Sequence, residues 1–141
     1  MPSPEGSYRA SGASRVPGDN GPTSEAAAAA QLDLARLLIP DPQRSLLLRV
    51  CGESMRDAGI RHGDLLVLER DRRARNGAIV VARLGERFTL KRLQWRRGRC
   101  WLEPAHPAYP CLDLERLARQ QGLSAADVQI WGVALHVIRT L

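Results

Sequence analysis

The sequence predicts a mostly β domain preceded by a flexible N-terminal arm, and three observations carry that prediction. Six short aliphatic runs, each bounded by Gly, Pro, Asn or Asp, fall between residues 46 and 138. The chain of 141 residues is 44% hydrophobic but only 4% aromatic, so aliphatic strands must fill the single core that this length can bury. Residues 1 to about 25 are rich in Gly, Pro, Ser and charge with almost no large apolar side chains. Such a segment cannot offset the entropy of its own ordering, and it is read as a flexible arm.

In chain order, Ala26 to Ala30 and Gln31 to Leu38 form a short helix or run extended, and Pro40 and Pro42 end that segment. Strands follow at Leu46 to Val50, Asp64 to Glu69, Ala78 to Leu84, Arg87 to Leu93, Arg99 to Glu103 and Val133 to Ile138. Asn76-Gly77 and Leu84-Gly85-Glu86-Arg87 have the composition of hairpin connections. Asp113 to Gln121 shows helical spacing with a stop at Gly122, and Ser124 to Asp127 reads as a second helix start.

One lysine, Lys91, stands against twenty arginines. Arginine supplies permanent charge, whereas a lysine shielded from water can lose its proton and act as a base. On a strand, Thr89, Lys91 and Leu93 share one side and Phe88, Leu90 and Arg92 the other, so Thr89 is the polar neighbour able to hydrogen-bond the amine. Ser54 follows Gly52 at a predicted turn, with Gly59 and Gly63 behind it. A serine hydroxyl is a weak nucleophile until a base removes its proton, and Ser-Lys is a known variant of the catalytic triad.

The segments Gly52-Glu53-Ser54-Met55, Gly59-Ile60, Gly63-Asp64-Leu65-Leu66, the strand Gly77 to Leu84 and Phe88-Thr89-Leu90-Lys91-Arg92-Leu93 occur here in order. Together they resemble the self-cleaving Ser/Lys peptidase family of LexA and UmuD. The separation from 54 to 91, 37 residues, matches that family's serine-to-lysine spacing. The resemblance continues through Leu102 to Tyr109 and closes with Trp131 to Ile138, covering roughly residues 32–141. It implies a fold of several coiled β-sheets like those of LexA and signal peptidase, an arm over 1–31 and a peptidase domain over 32–141. It implies that Ser54 is the nucleophile, that Lys91 is the base and that Thr89 orients the lysine. It also implies that the backbone N–H groups of Glu53 and Ser54 form the oxyanion hole and that Met55 supports the serine. No metal or cofactor enters such a mechanism.

The family cuts Ala-Gly or Cys-Gly bonds, and the arm contains neither. Cys51-Gly52 and Ala58-Gly59 lie on the nucleophile's own segment and cannot fold back into the site. The best-placed bond is Pro17-Gly18, since the distance from 18 to 54, 36 residues, is close to that in relatives.

Cys51, Cys100 and Cys111 are odd in number and lack zinc spacing, consistent with a reducing cytoplasm. A membrane-held signal peptidase, which uses a similar pair, is not expected because no apolar anchor is evident. His62, His106 and His136 are assigned to packing or the surface. The net charge of +6 concentrates in Arg70, Arg72, Arg73 and Arg75 and in Arg92, Arg96, Arg97 and Arg99, faces suited to phosphates or an acidic partner. Direct DNA reading is not expected, because residues 1–31 hold no helix-turn-helix pattern. The short polar arm is most like that of UmuD-type members. For those the resemblance implies cleavage on contact with a RecA–single-stranded DNA filament in the SOS response to DNA damage, a homodimer, and service as accessory subunit of a Y-family, UmuC-like polymerase in translesion synthesis. The alternatives are an uncleaved binding module for the polymerase or RecA, and a fragment of a LexA-type repressor.

Overall fold

The computed structural model describes residues 33–141. The expected arm and its Pro17-Gly18 segment lie outside the described residues. Asp41–Val137 forms one compact unit; a second comprises, among the described residues, 33–40 and 138–141. In the second, residues 33–38 are helical (α1), and Ile39 N–H donates to Ala35 O at 2.8 Å just before Pro40 ends the helix.

The larger unit is built on β1 (Ser45–Arg49), β2 (Leu65–Arg70), β3 (Ile79–Leu84), β4 (Arg87–Arg96), β5 (Arg99–Glu103), β6 (Leu112–Asp113) and β7 (Val128–Ile138). The one α-helix described in it is α2 (Leu114–Gln120). The expected mostly β fold is present, its seven strands joined in one sheet in the order β1-β2-β7-β3-β4-β5-β6. The β1/β2, β3/β4, β3/β7, β4/β5 and β5/β6 pairs are antiparallel.

Strand alternation divides the aliphatic residues between two cores. On β3, Val81 packs with Met55, Ile60, Leu66 and Leu68, while its neighbours Val80 and Ala82 pack with Leu93, Leu102 and Val133. Successive side chains of a strand point to opposite faces, so β3 is buried on both. This double burial explains why Ile79 to Ala82 is an unbroken apolar run.

β7 fits between β2 and β3 only because Gly132 has no side chain. A Cβ there would lie 2.5 Å from Leu68 Cδ1 and 3.2 Å from Glu69 O. Beside it the β3/β7 register shifts between Val81 and Ala82, a bulge. Glu69 is 3% exposed and is held by Arg44 at 2.9 Å and Arg72 at 3.0 Å, so a buried carboxylate ties β2 to the segments flanking it.

Two local expectations hold and three are revised. Leu84 pairs with Arg87 across the tight Gly85-Glu86 turn, as expected of a hairpin. Asn76-Gly77 makes no hairpin, because β2 and β3 are separated by β7; it anchors to β4 instead, with Gly77 N–H donating to Leu93 O at 2.7 Å and Trp95 N–H to Asn76 Oδ1 at 2.9 Å. β7 begins at Val128, five residues before the expected start, and stands inside the sheet between β2 and β3. The helix at 114–120 forms with Asp113 as its N-cap, accepting from Glu115 and Arg116 N–H. The second start at Ser124 yields only a 3₁₀ turn, Ala125–Asp127, closed by Asp127 accepting from the Ser124 N–H and hydroxyl.

Candidate active site

Ser54 sits on the loop between β1 and β2, two strands that pair along their whole length. The loop is pinched at its neck, where Val50 N–H donates to Asp64 O and Gly63 N–H to Val50 O, each at 2.8 Å. Gly52 takes φ 91°, a left-handed conformation that favours glycine, and its N–H donates to His62 Nδ1 at 3.0 Å. The chain then winds into a tight turn, with Arg56 N–H donating to Glu53 O at 3.0 Å and Ala58 N–H to Met55 O at 3.0 Å. Met55, 2% exposed, plugs this turn into the core beside Val50 and Ile60. The structure thus gives Met55 a place in the packed core. On the far side Ala105 N–H donates to Ser54 O at 2.7 Å and Asp57 N–H to Ala105 O at 2.8 Å. A serine fixed from three directions can present its hydroxyl in one place.

β4 brings the other partners. Thr89 and Lys91 project from the same side, and Lys91 lies opposite Val80, a fully buried residue of β3. Lys91 is 8% exposed, and its Nζ lies 3.2 Å from Ser54 Oγ and 2.7 Å from Thr89 Oγ1. Burial pushes its pKa below the ordinary lysine value, because removal from water disfavours the ammonium. An amine that has lost a proton still donates to Thr89 and has a lone pair free for the Ser54 hydroxyl. Among the described residues, neither the Glu53 nor the Ser54 N–H has an acceptor, which leaves two donors unspent beside the hydroxyl.

These groups line a half-open cleft walled by Val50, Phe88, Leu90 and Tyr109. The sequence singled out neither aromatic wall. Phe88 packs against Trp131 with ring centroids 4.9 Å apart, and the Arg70 guanidinium lies 5.4 Å from the Trp131 centroid. Tyr109 meets His106 edge-on at 4.9 Å, and His106 Nδ1 accepts from Ala108 N–H at 3.0 Å. His106 and His62 thus shape loops around the cleft. No periodicity could have flagged Tyr109, because the long connection between β5 and β6 brings it there. The cysteines are free; Cys51 is exposed in the cleft, and burial together with the neighbouring Asp113 carboxylate raises the Cys100 pKa. No helix among the described residues is long and apolar enough to cross a membrane.

Residues 15–135 match the family described as Peptidase S24-like. The chain is 43% identical over 99 residues to a LexA repressor of Halorhodospira halophila, covering 70% of this chain and 41% of that protein. It is 47% identical over 93 residues to a LexA repressor of Paracidovorax citrulli, covering 66% of this chain and 38% of the relative. Against LexA repressor 1 of Pseudomonas putida the identity is 40% over 98 residues, covering 70% and 45%. The chain thus spans about two fifths of the length of these relatives. With the family pattern running through most of its length, the chain belongs to the Peptidase S24-like family.

Proposed function

We propose that this chain is a latent serine peptidase that severs its own N-terminal segment, with Ser54 as nucleophile and Lys91 as general base. The observation that carries this reading is the lone lysine, buried and 3.2 Å from Ser54 Oγ, with Thr89 fixing its amine. Neutral Lys91 takes the Ser54 proton as Oγ adds to the scissile carbonyl carbon. The resulting oxyanion is held by the Glu53 and Ser54 N–H groups. The C–N bond breaks as Lys91 returns its proton to the leaving amine. Water then adds to the acyl ester, Lys91 again accepts a proton, and Ser54 is regenerated. The bond cut is Pro17-Gly18, which falls inside the family match beginning at residue 15.

Cleavage is stimulated by a RecA filament on single-stranded DNA, which ties the protein to the SOS response. Two finer roles follow from the family. The UmuD-like role, an accessory subunit for a Y-family polymerase, rests on the polar arm alone. The names of the similar proteins favour a repressor-linked role. A homodimer accompanies either one, and light scattering should give about twice 15.6 kDa; a strict monomer at micromolar concentration would remove the dimer.

The deciding experiment is mass spectrometry of the full chain after incubation with RecA, ATP and single-stranded DNA. A new N-terminus at Gly18 that disappears in Ser54→Ala supports the peptidase. An uncut chain whose Ser54 reacts with no acylating probe would leave the binding-module reading in its place.

A further inference from the structure

The arginine-rich loop after β2 is stitched to the β4–β5 hairpin. Trp95 N–H donates to Asn76 Oδ1 at 2.9 Å, Gly77 N–H to Leu93 O at 2.7 Å, Leu93 N–H to Ala78 O at 2.8 Å and Ala78 N–H to Arg75 O at 3.0 Å. These bonds place the loop carrying Arg73 and Arg75 alongside the hairpin carrying Trp95 and Arg97. Trp95 is 54% exposed on this face. An indole left in water at the end of a strand forgoes the burial that large aromatic side chains usually obtain.

The arginines around it fall into two groups. Arg72 is paired with Glu69, Arg96 with Glu103 and Arg99 with Asp113. Arg73, Arg75 and Arg97 are exposed and have no carboxylate within ion-pair distance among the described residues. The loop's own acid, Asp71, lies at its start. Arg97 occupies the hairpin turn at φ 53° ahead of Gly98 at φ 75°, a turn position that asparagine fills with less strain. Local conformation therefore does not explain the arginine there, whereas an external anion would.

We propose that this face binds single-stranded nucleic acid, with the Trp95 indole stacked on an unpaired base and Arg73, Arg75 and Arg97 on neighbouring phosphates. An aromatic platform flanked by unpaired cations matches the alternation of bases and phosphates along a single strand. A duplex hides its base faces, and an acidic peptide would engage the arginines without using the indole. The lack of a helix-turn-helix is no obstacle, since strand-borne stacking surfaces need no recognition helix. None of these residues lines the Ser54 cleft. The inference therefore stands whether or not the chain cleaves itself.

The test is fluorescence anisotropy of the full chain with labelled oligothymidylate, oligouridylate and a duplex of about 20 units, long enough for one such site, and with labelled polyglutamate. Binding to either single-stranded probe, weakening steeply with salt, is expected. Trp95→Ala should weaken it roughly ten-fold and Trp95→Phe should retain most of it. Arg75→Glu with Arg97→Glu should lower the salt slope by about two phosphate contacts. Circular dichroism and an unchanged thermal midpoint establish that the variants are folded. The proposal is overturned by no binding at micromolar protein in low salt, by duplex or polyglutamate binding as tightly as the single strands, or by single-strand binding indifferent to Trp95→Ala.

Discussion

The amine of Lys91 lies closer to Thr89 Oγ1, at 2.7 Å, than to Ser54 Oγ, at 3.2 Å. As an ammonium it donates to both oxygens. As a neutral amine it keeps the shorter bond as donor and turns its lone pair to the serine. The threonine thus holds the amine in position while its proton count changes, and burial of Lys91 makes the neutral form accessible.

Self-cleavage without RecA should accelerate with rising pH and level off below the ordinary lysine value near 10.5, because the folded chain releases the Lys91 proton more readily than the unfolded one. The unfolded chain then binds more protons between the folded value and 10.5, so this lysine makes stability rise with pH in that window. Lys91→Arg should lose both the cleavage and the rise, since arginine stays protonated. Gel assays and denaturant titrations from pH 6 to about 10 check this. Wild-type cleavage by Lys91→Arg would refute the base assignment.

Thr89→Val removes the shorter hydrogen bond while keeping the branched shape. That bond favours the ammonium, so its loss should lower the pH midpoint of cleavage while reducing the plateau rate by at least ten-fold through loss of orientation. A variant that lost only stability would slow without moving the midpoint.

The proline before the proposed scissile bond lacks an N–H and fixes φ, which limits how the segment can lie in a strand-lined cleft. Pro17→Ala should therefore be cut faster than the wild type by the same Ser54, as followed by mass spectrometry. An unchanged rate, or a new N-terminus elsewhere, would move the cleavage site.

Gly132→Ala should destabilise the fold by about 1–3 kcal/mol, because the added methyl meets Leu68 and the Glu69 carbonyl across the β2/β7 contact. Chemical denaturation measures this directly. A neutral result would mean that β7 can move away from β2 at little cost.

Much of the molecule was legible in the residues themselves. Alternation and punctuation located six of the seven strands, because aliphatic runs ended by Gly, Pro, Asn or Asp have few other ways to bury themselves. Lys91 stood out by composition and Ser54 by its glycine neighbours, and same-side placement on a strand linked Thr89 to Lys91 before any fold was known. These are local properties of covalent spacing. What only the tertiary structure decided is long-range. β6 is two residues long and has no periodicity to read. The placement of β7 between β2 and β3 turned Asn76-Gly77 from a hairpin into an anchor for Trp95, and the Tyr109 wall is set by a connection with no repeating pattern. The 3.2 Å between Ser54 and Lys91 is of this second kind: a loop pinched between β1 and β2 must meet a strand from the far side of β7, and only the packing of both on shared cores brings a hydroxyl and an amine into contact.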